Sequence, residues 1–253
     1  MRLTLIATAA AISVTACATS PLGRSKLILV SDDEMSQMGV ASFNDMKQKT
    51  PLTKDGRASA YVSCVAHAIT NELGSNQKWE VQVFEDKQVN AFALPGGKIG
   101  VYTGLLKVAT TQDQLAAVIG HEVSHVIAGH SAERVSEQMA TQLGVSVASA
   151  TTGVDANMLG LASNVFFTLP HSRTQESEAD LLGLDLMSKA GFDPRASVAL
   201  WQNMSKAGGQ KPPEMLSTHP SDDTRIQQLQ ARIPQDLPIY EKARAQGKKP
   251  ACG

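Results

Sequence analysis

Val118-Ile119-Gly120-His121-Glu122-Val123-Ser124-His125-Val126-Ile127 places two histidines four residues apart, with a glutamate directly after the first. With Leu115 upstream, its apolar positions recur at helical spacing and predict an amphipathic helix that starts near Thr110. On such a helix His121 and His125 share a face, so both imidazoles can reach one metal ion. Glu122 is rotated around the helix, where it can approach a water instead of the ion. Zinc lowers the pKa of a water it polarises, and a carboxylate so placed takes the proton as general base. The pattern points to zinc-assisted hydrolysis, with His121 and His125 as ligands and Glu122 as the catalytic base. The plain alternative is a helix with two incidental surface histidines, and the amphipathic setting argues against it.

Catalytic zinc takes three protein ligands and keeps a fourth position open. The third is expected from Gln175-Glu176-Ser177-Glu178-Ala179-Asp180. Glu176 and Asp180 fall on one helix face, whereas Glu178 points about 200° away from Glu176. Glu176 therefore suits the ligand role. Asp180 suits a carboxylate that accepts the free ring N–H of a zinc histidine and fixes its tautomer. His130 follows His125 by five residues, off the ligand face, and is read as a non-ligand. His67 and His171 carry no spacing signal, although His171 follows Pro170 near the Glu176 helix.

The rest of the chain frames this centre. With 253 residues, 42% hydrophobic residues and a net charge of -1, it suits one domain with a real core and gives no electrostatic footprint for nucleic acid. Low aromatic content and abundant Ala, Leu and Met favour helices. Ser31-Asp32-Asp33-Glu34 reads as a capping box opening a helix towards Lys49. A helix over 56–73, a strand over 79–84 and a hairpin of 89–94 with 98–102 follow, the hairpin turning at Pro95-Gly96-Gly97. The His121 helix is expected to continue past His130 into the small-residue stretch 143–154. Further helices are expected over 157–167, over 176–190 and from Pro194. Lys211-Pro212-Pro213 reads as a linker, 222–232 as a short final helix, and 236–253 as a polar tail.

Arg2 precedes an apolar stretch over 3–16, too short to span a bilayer but suited to a signal peptide. Val14-Thr15-Ala16-Cys17 resembles a bacterial lipobox, with residues 1–17 as a lipoprotein signal, Cys17 as the lipidated mature N-terminus and 18–30 as a tether. Ala16-Cys17-Ala18 also reads as an ordinary cleavage site. Export implies an oxidising compartment, in which Cys64 and Cys252 are either a disulfide or two separate thiols.

Asn90-Ala91-Phe92-Ala93-Leu94-Pro95-Gly96-Gly97, the His121-Glu122-x-x-His125 segment, Glu176-x-x-x-Asp180 and His219-Pro220 followed by Arg225 occur in that order. In this the chain resembles the HtpX and CAAX-prenyl-protease family of zinc peptidases, and most its bacterial lipoprotein (LoiP-like) branch. The resemblance implies an α+β, mainly helical zincin-type metalloprotease domain over 31–235, with a small sheet beside the active-site helix. It implies one Zn2+ per chain, with Glu176 as third ligand. Substrate would add as a β-strand beside 89–94, involving Asn90 and Phe92, with Arg225 orienting the site or forming a structural ion pair. His219 would either stabilise the oxyanion or occupy the open zinc position. The implied setting is the periplasmic face of the outer membrane, lipid-anchored through Cys17. The implied activity is hydrolysis of unfolded or misassembled envelope proteins, and the alternative is an assembly factor that binds clients with little cleavage. Residues 131–167, lying between the ligands, are expected to act as a lid.

Overall fold

The computed structural model describes residues 17–145, 156–207, 214–219 and 223–253. Two short strands, β1 (Cys17–Thr19) and β2 (Ser25–Leu27), pair antiparallel at the start. Helix α1 (Asp32–Lys49) opens with the expected capping box: the Glu34 N–H donates to Ser31 Oγ and the Ser31 N–H donates to the Glu34 carboxylate. Asp55 caps α2 (Gly56–Thr70), which ends in a 3-10 turn over Asn71–Leu73 before Gly74. Strands β3 (Glu80–Phe84), β4 (Ala91–Leu94) and β5 (Lys98–Tyr102) form a sheet in the order β3-β5-β4. The β4–β5 pair is an antiparallel hairpin, while β3 runs parallel to β5. Then come α3 (Gln112–Ile127), α4 (His130–Val145), α5 (Ala156–Phe167), α6 (Arg173–Lys189), α7 (Ala196–Ala207), α8 (Glu214–Thr218) and α9 (Asp223–Ala245). The architecture is α+β and mainly helical, as expected.

Helix α3 is the hub, with β4 on one side and α2, α6 and α7 on the others. Leu115, Val118, Ile119 and Val123 are fully buried among Val62 and Ile69 of α2, Ile99 and Val101 of β5, Met187 of α6 and Leu200 of α7. Each large side chain buried there contributes roughly 1.5–3 kcal/mol. The periodicity that marks α3 in the sequence is therefore also what fixes its position.

The α3–α6 contact sets the site. A Cβ on Gly183 would lie 2.9 Å from the His121 backbone nitrogen, and one on Gly120 would lie 3.0 Å from the Gly183 carbonyl oxygen. The two backbones meet without side chains between them, which brings Glu176 and Asp180 beside His121. Gly183→Ala is expected to destabilise the fold by about 1–3 kcal/mol, because backbone rather than a flexible side chain must yield. An unchanged melting temperature would contradict this packing.

Three expectations are corrected. Helix α3 does not run past His130: Gly129, with φ of 69°, closes it in the left-handed conformation that glycine adopts without strain, and α4 starts afresh at His130. Residues 18–30 are not a free tether, because they form the β1–β2 hairpin and dock through Lys26, which donates to the Ala128 carbonyl, and Leu29, whose N–H donates to Ser136 Oγ at 2.8 Å. The last helix does not stop near residue 232 but continues through Pro234 and Pro238 to Ala245. Buried Ile233, Asp236 and Ala243, with α9 packed on α6 and α7, outweigh the two missing N–H donors. Of the two readings left open for Cys64 and Cys252, the disulfide is the one present, and it joins residues 246–253 to α2. The 211–213 linker and residues 146–155 of the expected lid lie outside the described residues. Among the described residues, no helix is long and apolar enough to cross a membrane.

Candidate functional site

His121 and His125 project from one face of α3 and Glu176 from the first turn of α6, all buried. His125 Nε2 lies 3.1 Å from His121 Nε2, and each faces a Glu176 oxygen at 3.4 Å. His219, directly after α8, enters the same space: its Nδ1 lies 3.0 Å from Glu176 Oε1 and 3.2 Å from His121 Nε2. Ligand atoms of His121, His125, Glu176 and His219 all fall within 4.8 Å of one another.

Hydrogen-bond chemistry decides what these atoms can do. Arg225 Nη2 donates to Asp180 Oδ1 at 2.7 Å, and His121 Nδ1 meets the same oxygen at 2.9 Å. An ionised carboxylate only accepts, so His121 carries a hydrogen on Nδ1. Burial and Arg225 disfavour a second hydrogen, on Nε2, but Glu176 and Asp180 outweigh them and raise the His121 pKa to about 9, so a cation bound at Nε2 would take that hydrogen's place. His125 Nδ1 is likewise engaged, at 2.8 Å from His130 Nδ1. Two imidazole nitrogens and a carboxylate thus converge on one point, with His219 Nδ1 beside them. Their 3.1–3.4 Å spacing is about that of ligands on a tetrahedron with bonds of roughly 2.0–2.1 Å. The donor set and spacing fit a zinc-type cation.

Glu122 lies apart from these atoms. It is buried, its Oε1 has no hydrogen-bond partner, and His219 Nε2 lies 3.5 Å from it. Burial pushes its carboxyl pKa up, and the charges on His219 and His121 only partly offset this. Burial acts the same way on Glu176, but there the charges of His219 and His121 and a hydrogen bond from His121 outweigh it and hold the carboxyl well below its usual range. Burial lowers His125, keeping it neutral. Two glutamates in one site are therefore driven apart, one towards holding a proton and the other towards staying ionised, as acid–base chemistry beside a cation requires.

Further side chains surround these groups. Arg225 does not face the cleft. It sits behind the ligands, donating to Glu176 Oε2 at 3.0 Å and to Asp180, with its guanidinium 3.5 Å from the Trp201 ring centre. That favours the ion-pair reading over a substrate contact. His171 is part of the site: its ring lies 3.9 Å from that of His125 and stacks on His219 at 5.0 Å, and its N–H donates to the Thr218 carbonyl. Arg134 braces it, with Nη1 3.1 Å from His171 Nε2. His130, read as a non-ligand, touches His125 instead of the cation space; Glu178 points away from Glu176, as expected, and reaches His130 at 3.1 Å.

Strand β4 borders the site. Tyr102 donates to the Asn90 carbonyl, so in this register Asn90 and Phe92 direct their main-chain groups to β5, while Ala91 and Ala93 direct theirs to the free edge. Asn90 Oδ1 accepts from the Ala91 N–H at 2.9 Å and so covers one edge donor. The Phe92 ring does not reach out for a ligand; it packs among Phe43, Phe84, Tyr102 and Phe167. A cavity of about 30 Å³ separates β4 from Glu122, His125, Phe166, Phe167 and His219. The cleft is closed in this conformation.

Residues 57–233 match the model of peptidase family M48, and the chain belongs to that family. It is similar to the mitochondrial metalloendopeptidase OMA1 of Schizosaccharomyces pombe, 42% identical over 178 residues, covering 69% of this chain and 53% of the relative. OMA1 of Bos taurus is 35% identical over 241 residues, covering 87% and 46%. The beta-barrel assembly-enhancing protease of Yersinia pestis is 28% identical over 230 residues, covering 86% and 47%. The chain thus spans about half the length of these curated relatives.

Proposed function

We propose that this protein is a zinc metalloendopeptidase that hydrolyses peptide bonds in unfolded or misassembled cell-envelope proteins. The observation that carries the reading is the convergence of His121 Nε2, His125 Nε2 and the Glu176 carboxylate beside a buried Glu122 whose Oε1 has no partner. His121, His125 and Glu176 would hold the ion, and Asp180 would fix the His121 tautomer. When bound, zinc supplies Lewis acidity towards the scissile carbonyl and an acidified water. Glu122 takes that water's proton and returns it to the leaving amine, for which its raised pKa suits it. Substrate pairs with the free edge of β4 through Ala91 and Ala93, displacing Asn90 Oδ1. Phe166 and Phe167 at the end of α5 move aside, in keeping with a lid role for that segment.

His219 is read as a shutter: its Nδ1 lies among the ligand atoms, in place of a fourth, exchangeable ligand. His219→Ala is expected to raise the cleavage rate of an unfolded protein several-fold. A fall instead would assign His219 to oxyanion stabilisation.

The envelope setting rests on the lipobox-like Cys17, on the Cys64–Cys252 disulfide, which suits an oxidising compartment, and on relatives named for β-barrel assembly. The lipoprotein, LoiP-like branch fits the same features. Because the hairpin beginning at Cys17 is docked, a lipid on Cys17 would hold the domain close against the outer membrane. The metal dependence is tested by chelation: cleavage of an unfolded substrate is expected to vanish with a zinc chelator and return on adding back one zinc per chain. Client binding without cleavage at any zinc level would favour the assembly-factor reading.

A further inference from the structure

A chain of contacts runs from the N-terminal hairpin to His125. Arg24 Nε donates to Glu178 Oε2 at 3.1 Å, and the same oxygen lies 3.1 Å from His130 Nε2. His130 Nδ1 lies 2.8 Å from His125 Nδ1. The Arg24 guanidinium also grips Glu133, through Nη1 to Oε1 and through Nη2 to Oε2 at 2.7 Å, and Gln175 Nε2 donates to Glu133 Oε2 at 2.9 Å. The turn that carries Arg24 is tight, with its own N–H and C=O both bonded to Ser20.

We propose that Glu178, held by Arg24 of the hairpin, fixes the tautomer of His125 through His130, so that residues 17–30 are a positioning part of the metal centre. The inference rests on the metal-centre reading above. An ionised Glu178 only accepts, so His130 carries its hydrogen on Nε2 and offers a lone pair at Nδ1. His125 must then donate from Nδ1, which leaves its Nε2 lone pair free to point at Glu176 and His121. With the hydrogens reversed, the His130 Nε2 lone pair would face the carboxylate oxygen at 3.1 Å, an unfavourable contact in a buried site. Asp180 does for His121 directly what Glu178 does for His125 at one remove. The reversal at Gly129 makes this possible, since it turns His130 back towards His125, and Lys26 of the same hairpin binds the Ala128 carbonyl at that corner.

Two readouts test the proposal. Imidazole ¹⁵N shifts of the metal-free protein are expected to show His125 in the Nδ1–H form and His130 in the Nε2–H form; the opposite tautomers would overturn it, whatever the fate of the metal reading. Zinc affinity, measured by competition with a chelating dye, is expected to fall roughly 10–100-fold in Glu178→Gln and in Arg24→Met, with Arg24→Lys partly restoring it. The visible spectrum of the cobalt-substituted protein should shift in parallel. Unchanged affinity and spectrum, with only the melting temperature of the metal-free protein lowered, would reduce the hairpin to a structural strap. His125, His130 and His171 also lie within ligand reach of one another. Two zinc equivalents per chain would therefore assign His130 to a second ion and overturn the relay. Failure of the wild type to bind zinc would sink the metal centre and leave the tautomer result as the deciding one.

Discussion

Glu122→Gln is expected to leave the protein folded and able to hold zinc while lowering peptide hydrolysis by about 10²–10⁴-fold, the usual contribution of a positioned general base. That corresponds to roughly 3–5 kcal/mol of barrier. The substitution keeps the shape and removes only the group that takes the proton. It should not harm stability, because the Glu122 carboxyl is buried with an unpartnered Oε1 and burial already disfavours its charge. The check is the initial rate on an unfolded, quenched-fluorescent protein, alongside zinc content and melting temperature. A variant that cleaves within a few-fold of wild type would remove Glu122 from the chemistry.

The second large effect concerns the C-terminal segment. Cys64 and Cys252 close a loop with a sequence separation of 188. Loop closure of that length restricts the unfolded chain by about 5 kcal/mol in the entropic account, and removing native disulfides costs roughly 2–5 kcal/mol in practice. The native contacts that the bridge holds are specific: Gln112 Nε2 donates to the Pro250 carbonyl at 2.9 Å, the Cys252 N–H donates to Gln112 Oε1 at 3.0 Å, and Lys248 pairs with Glu72 at 2.6 Å. They tie the end of the chain to α2 and the start of α3. Replacing both cysteines by serine is expected to lower the melting temperature by roughly 4–20 °C, at about 2–4 °C per kcal/mol. An identical melting temperature with and without reductant would mean that the bridge constrains nothing.

Much of the site was legible because it is local. His121, Glu122 and His125 sit within five residues on one helix, and Glu176 and Asp180 within five on another, so helical geometry alone sorts ligand-side from opposite-side groups. The same argument sets Glu178 apart from Glu176, yet Glu178 returns as a partner of His130, which no helical wheel reveals. That contact depends on Gly129 breaking the helix, a signal present in the sequence but overridden by the long apolar and small-residue run around it. Arg24 meets Glu133 across a separation of 109 residues, and its surroundings, with Pro21 and Gly23, carry the composition of a loop. Nothing local marks such a segment as docked. His171 enters because its N–H and ring both engage the segment carrying His219, again a tertiary matter. The last helix runs past the expected 222–232 because burial of Ile233 and Asp236 carries it through Pro234 and Pro238. A substrate role for Phe92 is implied by the family resemblance alone; strand alternation sends its ring into the aromatic cluster.

The central claim is that His121, His125 and Glu176 hold a hydrolytic metal. Crystals of the Glu122→Gln protein loaded with zinc would test it most directly, through an anomalous difference map recorded at the zinc edge. The account predicts one peak, bonded to His121 Nε2, His125 Nε2 and the Glu176 carboxylate. No peak there, or a peak held instead by His125, His130 and His171, would contradict it.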